Sequence, residues 1–351
     1  MTDVTLDLLD DVASAFATRD AARVRNLRDS EAHLDREMWG RIAEVGWLSM
    51  VVPEELDGAG LDMAATVIVT RALGRGAFPE PFVAAGVLAP MVLAAAEDDA
   101  CHERLAAVMA GELVVGVGSQ GEVAATARGT LTGESRCTGI AGADAYVAGA
   151  GSGLYLVEAG APGVSVIPQR LADGSFTARL ELTDAPALLL VPDERGGEVL
   201  AQALDAARVA LSGELVGIAD TALELTLDHL RQRRQFGRPL GAFQALQHRA
   251  VDMWVQRELA SAALQAAVRV HVDERSSARE RAIAASSTKA RAASAATSVC
   301  NAAFQLHGAI GFTDEYDLGL YLNRALALAP WLGNAAESRR RWLDLVEGSQ
   351  S

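Results

Sequence analysis

The chain has 351 residues, is 50% hydrophobic, and carries 31 basic against 46 acidic side chains, a formal net charge of -15. This length and hydrophobicity allow two or three substructures with sizeable cores and exclude a disordered chain. The negative charge disfavours binding to nucleic acid or another long polyanion. We therefore expect a folded globular protein that binds no nucleic acid.

Neither the N-terminal residues nor the most apolar run of the chain predicts export or membrane insertion. The first residues, MTDVTLDLLDDVASAF, are acidic where a secretory signal is basic. The apolar run Phe82–Ala96 is 15 residues long and contains Pro90, so it is too short to span a bilayer. The cysteines are odd in number and far apart, which predicts reduced packing thiols at Cys101, Cys137 and Cys300. The sequence predicts a cytoplasmic protein without a membrane span.

The residues up to about 112 are predicted to be helical. Met63–Leu73 and Asp98–Ala110 have apolar residues at helical spacing, and a glycine follows each. Phe82–Ala96 is interpreted as a buried pair of helices. Leu34, Met38, Ile42 and Val45 predict an earlier helix before Gly46, and VVPEELDGAGLD, which lies between it and Met63, has a proline and glycines typical of turns.

Residues 113–198 are predicted to form a small antiparallel β domain, because short β-rich runs alternate there with glycines. Gly116–Gly121 is a literal GxGxxG after an apolar run, which could indicate a dinucleotide fold. That fold requires a helix of several turns next, and Glu122–Arg128 offers only about two turns before Gly129. Glycines in β turns are therefore the favoured interpretation.

From residue 199 the helical period returns. Leu211–Leu225 keeps three- and four-residue steps, and Glu280–Phe304 is rich in alanine and serine, as in closely packed helices. A second helix is predicted to bury one apolar stripe, made of Phe243, Leu246, Ala250, Met253 and Trp254. The predicted fold class is α+β multidomain and mostly α, with an N-terminal helical domain (1–112), a middle antiparallel β domain (113–198) and a C-terminal four-helix bundle (199–351).

Four arginines lie close together in RQRRQFGRPLGAFQALQHRAVDMW, Arg231 to Trp254. Arginine presents a planar fork of donors that matches phosphate oxygens, so this turn could hold a diphosphate. The alternative is that the arginines favour the negative end of a helix dipole and pair with surplus carboxylates. The only lysine is Lys289, so other phosphate contacts would have to come from arginine.

Two motifs together resemble the acyl-CoA dehydrogenase family. They are RxQFGxPLxxFQxxQH, starting at Arg233, and QxHGxxGFTxE, starting at Gln305, with an alanine-rich helix between them. The N-terminal WxRIAEVGWLSMVVPEELDGAGLD also resembles this family, so the similarity runs from about Trp39 to Arg324. Helical, β and helical segments follow in the same order as in the family.

The resemblance implies an FAD-dependent enzyme of lipid β-oxidation, with an acyl-CoA substrate and an external flavin electron acceptor. In the family, FAD is shared between the β domain of one subunit and the bundle of a neighbour. By this resemblance Arg233 pairs with the diphosphate, Phe236 and Gln244 pack nearby, and Gln305 and the backbone of Gly308 contact the other end of the cofactor.

The sequence departs from the family where the catalytic base is expected. Family members use a carboxylate to take the α-proton of the thioester, because burial can raise its pKa towards neutrality. One usual position corresponds to Leu332 in WLGN, and the other to Ala207 in LDAAR. Neither is acidic, so the catalytic base is unknown, and Glu214, on the same helix as Ala207, is a weak candidate.

Two neighbours of the second position are retained, Asp205 and Arg208, which lie beside the acyl-CoA pocket in the family. They could contact the thioester, or they could be a helix-start aspartate and an arginine paired with local carboxylates. In the β domain, Ser119 and Tyr146 are the residues nearest to the registers that contact the flavin in the family. The histidines show no metal-binding spacing, and His307 is expected to pack or bind backbone rather than to catalyse.

Three hypotheses follow. The favoured one is a base-deficient subunit of a heteromeric (α2β2) acyl-CoA dehydrogenase that completes the FAD site of a second family member, an assembly associated with bulky and steroid side-chain CoA thioesters. The second is a self-sufficient homomeric enzyme with an unusual base such as Glu214. The third is a scaffold or regulatory relative without catalysis.

Overall fold

In the computed structural model the protein is described over residues 3–126, 128–137 and 139–348. Its α-helices are Asp3–Phe16 (α1), Ala21–Asp29 (α2), Arg36–Glu44 (α3), Met63–Arg75 (α4), Ala89–Leu93 (α5), Asp99–Met109 (α6), Asp193–Gln232 (α7), Gln244–Val272 (α8), Ala278–His307 (α9), Leu318–Leu328 (α10) and Ala335–Glu347 (α11). Its strands are Val115–Val117 (β1), Gln120–Ala125 (β2), Thr130–Cys137 (β3), Ala145–Ala150 (β4), Gly153–Glu158 (β5), Val164–Arg170 (β6), Phe176–Pro186 (β7), Leu188–Val191 (β8), Arg234–Gln235 (β9) and Arg238–Pro239 (β10).

The chain forms two compact units. The first contains the described residues up to Asn26, Val67–Pro79, and the chain from Arg208 onward. The second contains Leu27–Thr66 and Glu80–Ala207. The order of helices, β-sheets and helices confirms the predicted fold class. The division at residues 112 and 198 stays a prediction about domains.

The first unit is built around α9, whose buried face is mostly alanine. Small side chains let α8, α10 and α11 approach this helix closely. A capping box of Ser277 and Glu280 starts α9 by satisfying its first amides. The alanine- and serine-rich pattern therefore predicted the central helix of the bundle correctly.

The α8 helix is apolar on two faces. Ala250 and Met253 are buried, as predicted, but the prediction for Trp254 is wrong because 52% of it is exposed. It belongs to a second stripe on the outer face, which we call the α8 stripe: Val251, Trp254, Val255 and Leu259. Apolar residues on both faces of a helix hide the period that would separate them.

A buried carboxylate ties three helices of the first unit together. The Asp220 side chain on α7 is fully buried and accepts bonds from Nε of Arg71 (2.8 Å), Nε of Arg75 (3.1 Å) and Nε of Arg257 (2.6 Å). Burial pushes the pKa of Asp220 up, but these arginines outweigh it and hold the pKa below its usual value. The ionised carboxylate thus joins α4, α7 and α8.

The second unit contains two four-stranded sheets, with strand orders β1-β4-β5-β8 and β2-β3-β7-β6. One pair is not antiparallel as predicted, since β1 pairs with β4 in parallel. After Gly121 the chain continues as β2, which pairs antiparallel with β3, in agreement with the predicted β domain. No long helix follows the GxGxxG, so the dinucleotide fold is excluded; the glycines do belong to β structure, but Gly116 lies within β1 and Gly121 within β2 rather than in turns.

Buried apolar elements complete the second unit. Phe82–Leu88 is a π-helix that leads into α5, and every residue from Phe82 to Pro90 is buried, as predicted for this run. All three cysteines are free and buried. Within the described residues no helix is long and apolar enough to cross a bilayer, and no group of side chains could hold a metal ion.

Candidate functional site

The hairpin between α7 and α8 has an exposed aromatic tip. Strands β9 and β10 pair across Phe236 and Gly237, whose φ angles of 52° and 78° are both left-handed, as in a type I′ turn. Phenylalanine rarely adopts such a φ angle. Its side chain is 89% exposed and contacts Phe243 edge to face, with 6.1 Å between ring centroids. The turn therefore presents an aromatic ring to solvent beside the arginines.

The hairpin arginines differ in whether they are already engaged. Arg231 pairs with Asp228 at 2.9 Å, and the guanidinium of Arg238 lies 4.0 Å from the centroid of the Phe243 ring. By contrast, the guanidinium of Arg233 makes no hydrogen bond or ion pair with any described residue. Arg233 is exposed and therefore available to an anion.

The end of α9 offers a second open segment. Gly308 has φ 64° and ψ -141°, and a Cβ atom placed there would meet nothing within 4 Å. Gln305 is exposed, as is Gln244 at the start of α8, and neither amide is hydrogen-bonded to a described residue. These groups leave amide donors and an unobstructed backbone facing solvent.

Two histidines bring these segments together. His229, in the last turn of α7, stacks on His307, in the last turn of α9, with 4.3 Å between ring centroids. As expected, His307 binds backbone, since its Nδ1 lies 2.7 Å from the Ala303 oxygen. The five residues predicted to bind the cofactor therefore lie at or just beyond the C-terminal ends of α7 and α9 and at the N-terminal end of α8. An unpaired arginine and two side-chain amides supply donors of the kind that an FAD diphosphate and adenosine need, and the backbone at Gly308, whose N–H already donates to the Phe304 oxygen, leaves room for close approach.

The loop at the first expected base position is held by two cations. Leu332 has φ 57°, unusual for leucine. Its carbonyl accepts a 3.0 Å bond from Nε of Arg208, while Nζ of Lys289 donates to the oxygens of Ala329 (2.8 Å) and Gly333 (3.0 Å). Burial, and then the charge of Arg208, lowers the pKa of Lys289 to about 7. Arg208 thus uses its Nε to fix the backbone at Leu332, the position where the sequence resemblance predicted a base.

The remaining candidates near α7 are buried. Asp205 and Ala207 lie on the part of α7 that belongs to the second unit. In the first unit, Oε1 of Glu214 accepts bonds from Nε (2.9 Å) and a terminal nitrogen (2.6 Å) of Arg324. Both side chains are buried, so this carboxylate already neutralises an internal cation. In the β domain, Tyr146 is also buried and donates to the Ala141 oxygen.

Sequence reasoning missed Arg324 and the role of Lys289. Arg324 lies 110 residues from Glu214, and no local pattern links the two. Lys289 did carry a signal, because it is the single lysine of the chain and lies on the alanine face of α9. A cation on a buried face needs acceptors nearby, which the loop carbonyls supply.

The comparisons with known proteins agree with this arrangement. The model of the acyl-CoA dehydrogenase N-terminal domain matches residues 4–112, and that of the C-terminal domain matches residues 194–342. The chain belongs to the acyl-CoA dehydrogenase family, a family of FAD-dependent oxidoreductases that act on acyl-CoA.

Its similar relatives include heteromeric enzymes. It is 31% identical to the acyl-CoA dehydrogenase IpdE2 of Mycobacterium tuberculosis (strain ATCC 25618 / H37Rv), over 91% of this chain and 90% of that one. It is similar to a variant of the Tcur3481-Tcur3483 steroid ACAD, with a TM-score of 0.88, 28% identity, and 99% of each chain covered. It also matches the ChsE4-ChsE5 complex from Mycobacterium tuberculosis, with a TM-score of 0.87, 25% identity, and 99% and 98% covered.

Proposed function

We propose that the protein is a subunit of an FAD-dependent acyl-CoA dehydrogenase that lacks its own catalytic base and completes the FAD site of a partner. The observation that carries this proposal is the loop at Leu332. The family's base position is occupied by an apolar side chain, and Arg208 and Lys289 hold the loop by its backbone oxygens. At the other family position stands Ala207, which is fully buried.

Within the complex, this chain would bind and orient the cofactor. Arg233 would pair with the diphosphate, Phe236 and Gln244 would pack beside it, and Gln305 and the Gly308 backbone would contact the other end. When bound, FAD supplies the hydride acceptor for α,β-desaturation. Asp205 could still contact the thioester, while the bond from Arg208 to Leu332 supports a positioning role for Arg208.

A second member of the same family is the proposed partner. The similar structures include the Tcur3481-Tcur3483 steroid ACAD and the ChsE4-ChsE5 complex. The exposed α8 stripe gives an apolar surface for association. A bulky or steroid side-chain CoA is the proposed substrate, because one of those structures is a steroid acyl-CoA dehydrogenase. An electron acceptor that reoxidises the flavin and a cytoplasmic location belong to the same proposal.

The visible spectrum of the purified chain tests the proposal, first alone and then co-expressed with a second family member. We expect flavin absorbance only in the co-expressed complex, at about one FAD per pair of chains. Arg233→Ala should reduce flavin content, whereas Arg231→Ala, whose arginine already pairs with Asp228, should leave it unchanged. One FAD per chain in the protein alone would refute the heteromeric proposal.

Two alternatives give different results in the same experiment. A self-sufficient homomer would be yellow alone, and Glu214→Gln would abolish its turnover while flavin content stayed constant. The ion pair with Arg324 favours a structural role for Glu214 instead. A scaffold relative would stay colourless with every partner, and the unpaired Arg233 would then have no ligand.

A further inference from the structure

Two surface segments of the first unit are joined by three rings. We call Arg233–Pro239 the arginine hairpin and Gln305–Phe312 the glycine turn. We infer that His229, His307 and Tyr316 are positioning residues that hold the arginine hairpin and the glycine turn in a fixed register. The segments are about 70 residues apart in the sequence, so no local backbone geometry sets their spacing.

The central ring of this connection is contacted at both of its nitrogens. A carbonyl can only accept, so the 2.7 Å contact between Nδ1 of His307 and the Ala303 oxygen requires a proton on Nδ1. Nε2 of the neutral ring is then an acceptor, and the Tyr316 hydroxyl, 3.0 Å away, donates to it. The centroids of these two rings are 4.9 Å apart. The His307 ring is thus fixed on one side by backbone and on the other by a tyrosine.

His229, the neighbour of His307, links the position of the His307 ring to the arginine hairpin. His229 lies 4.3 Å from His307 between centroids, and its carbonyl accepts a 2.8 Å bond from the amide of Arg233. The carbonyl of Arg233 accepts an equally short bond from the amide of Leu240, which closes the hairpin. A displacement of the helix turn that carries the His229 ring therefore also moves the residue that begins the arginine hairpin.

Electrostatics keep the stack compact. Burial, then the His307 ring and Arg233, lowers the pKa of His229, and burial lowers the pKa of His307. Both rings are accordingly neutral at neutral pH, and two neutral rings stack without charge repulsion. Burial also raises the pKa of Tyr316, which keeps its hydroxyl protonated as a donor.

The purpose of this register rests on the proposed FAD site. Arg233 and Gln305 are expected to contact opposite ends of one FAD molecule, so their separation must match the length of the ligand. A preformed separation lowers the ordering cost of binding. The connection itself, however, is a property of the protein without FAD and can be tested without it.

Amide hydrogen exchange on the full chain tests the connection in both directions. His307→Ala should increase exchange at least tenfold at Leu240 in the arginine hairpin. His229→Ala should do the same at Gly308 and Thr313, whose amides bond to backbone oxygens in or beside the glycine turn. His229→Phe keeps a stacking ring and should restore slow exchange, which loss of folding would not allow. Arg231→Ala is the control on the same helix end.

The result that overturns the inference is a local response, in which each histidine variant changes exchange only in its own segment. FAD binding to the same variants, measured by ultrafiltration of the complex, is read separately. If exchange is coupled and flavin content does not depend on Arg233, the positioning inference stands and the FAD proposal fails. If exchange is uncoupled while Arg233→Ala still loses flavin, the reverse holds.

Discussion

Replacement of Lys289 by methionine gives a sharp test of the loop at the expected base position. Lys289 is fully buried on α9 and donates to the oxygens of Ala329 and Gly333. Methionine has a similar length but removes the charge and both bonds. The lost bonds cost the variant the same free energy at every pH, whereas the lost charge changes how stability depends on pH.

The size of the pH effect follows from the pKa of Lys289, which falls from an ordinary 10.5 to about 7 in the fold. Between these two values the unfolded chain binds more protons at this lysine than the folded chain does. The free energy of unfolding therefore rises with pH across this window. Because a tenfold change in proton affinity is worth about 1.4 kcal/mol, the rise from pH 7 to pH 9 is about 2 kcal/mol.

Urea unfolding followed by tryptophan fluorescence can measure the difference, since buried Trp331 lies in the same loop. Between pH 7 and pH 9 the free energy of unfolding should rise by about 2 kcal/mol more in the wild type than in the Lys289→Met variant. All other titrating groups are common to the two proteins. Parallel curves would refute the reasoning. A direct check is available as well, because Lys289 is the only lysine. Lysine-selective 13C labelling gives a single Cε resonance whose titration midpoint we expect near 7.

Three further predictions concern the first unit. Asp220→Asn should lower the free energy of unfolding at neutral pH by about 3 kcal/mol or more, because it leaves the converging arginines without their buried counter-charge. Chemical denaturation measures this change. A loss below about 1 kcal/mol, which is typical of a surface ion pair, would contradict the prediction. Trp254→Glu should weaken assembly with the partner in size-exclusion chromatography with light scattering, while the thermal midpoint of the isolated chain stays constant, because half of the side chain is exposed. The 15N spectrum of His307 should show the Nδ1-protonated tautomer at neutral pH, and Tyr316→Phe should shift its Nε2 resonance; an Nε2-protonated ring would contradict the hydrogen bonds described above.

The fold could be predicted from the sequence where each face of a helix or strand meets a single environment, either the core or solvent. The long helices α7 and α9 keep a helical period, and the sequence predicted both. The longest strand, β7, was not predicted, although Phe176, Ala178, Leu180 and Leu182 alternate along it and are all buried. The short segment that forms β2 is rich in alanine, which favours helix, yet its pairing with β3 makes it a strand. Tertiary pairing of this kind is invisible in a local window.

The candidate site divides in the same way. The sequence motifs predicted Arg233, Gln305 and Gly308 as cofactor contacts, and the structure leaves all three open to solvent. The sequence could not show that Glu214 is paired with Arg324, because partners so far apart along the chain meet only in the folded bundle. The helical period shows on which face of a helix a charged residue lies, but it does not show which distant residue carries the opposite charge.

The arginines of the first unit differ in whether an anion would have to displace a carboxylate partner in order to bind them. Inside the first unit, arginine forks are used by the protein itself, as in the bonds of Arg71 and Arg257 to Asp220 and of Arg324 to Glu214. A guanidinium already bonded to a buried carboxylate would have to give up that partner before it bound phosphate, which is costly. Among the described residues, the Arg233 guanidinium has no such partner to lose. The proposed diphosphate contact at Arg233 would therefore break no existing ion pair, and it is compatible with a net-negative chain that is unsuited to a long polyanion.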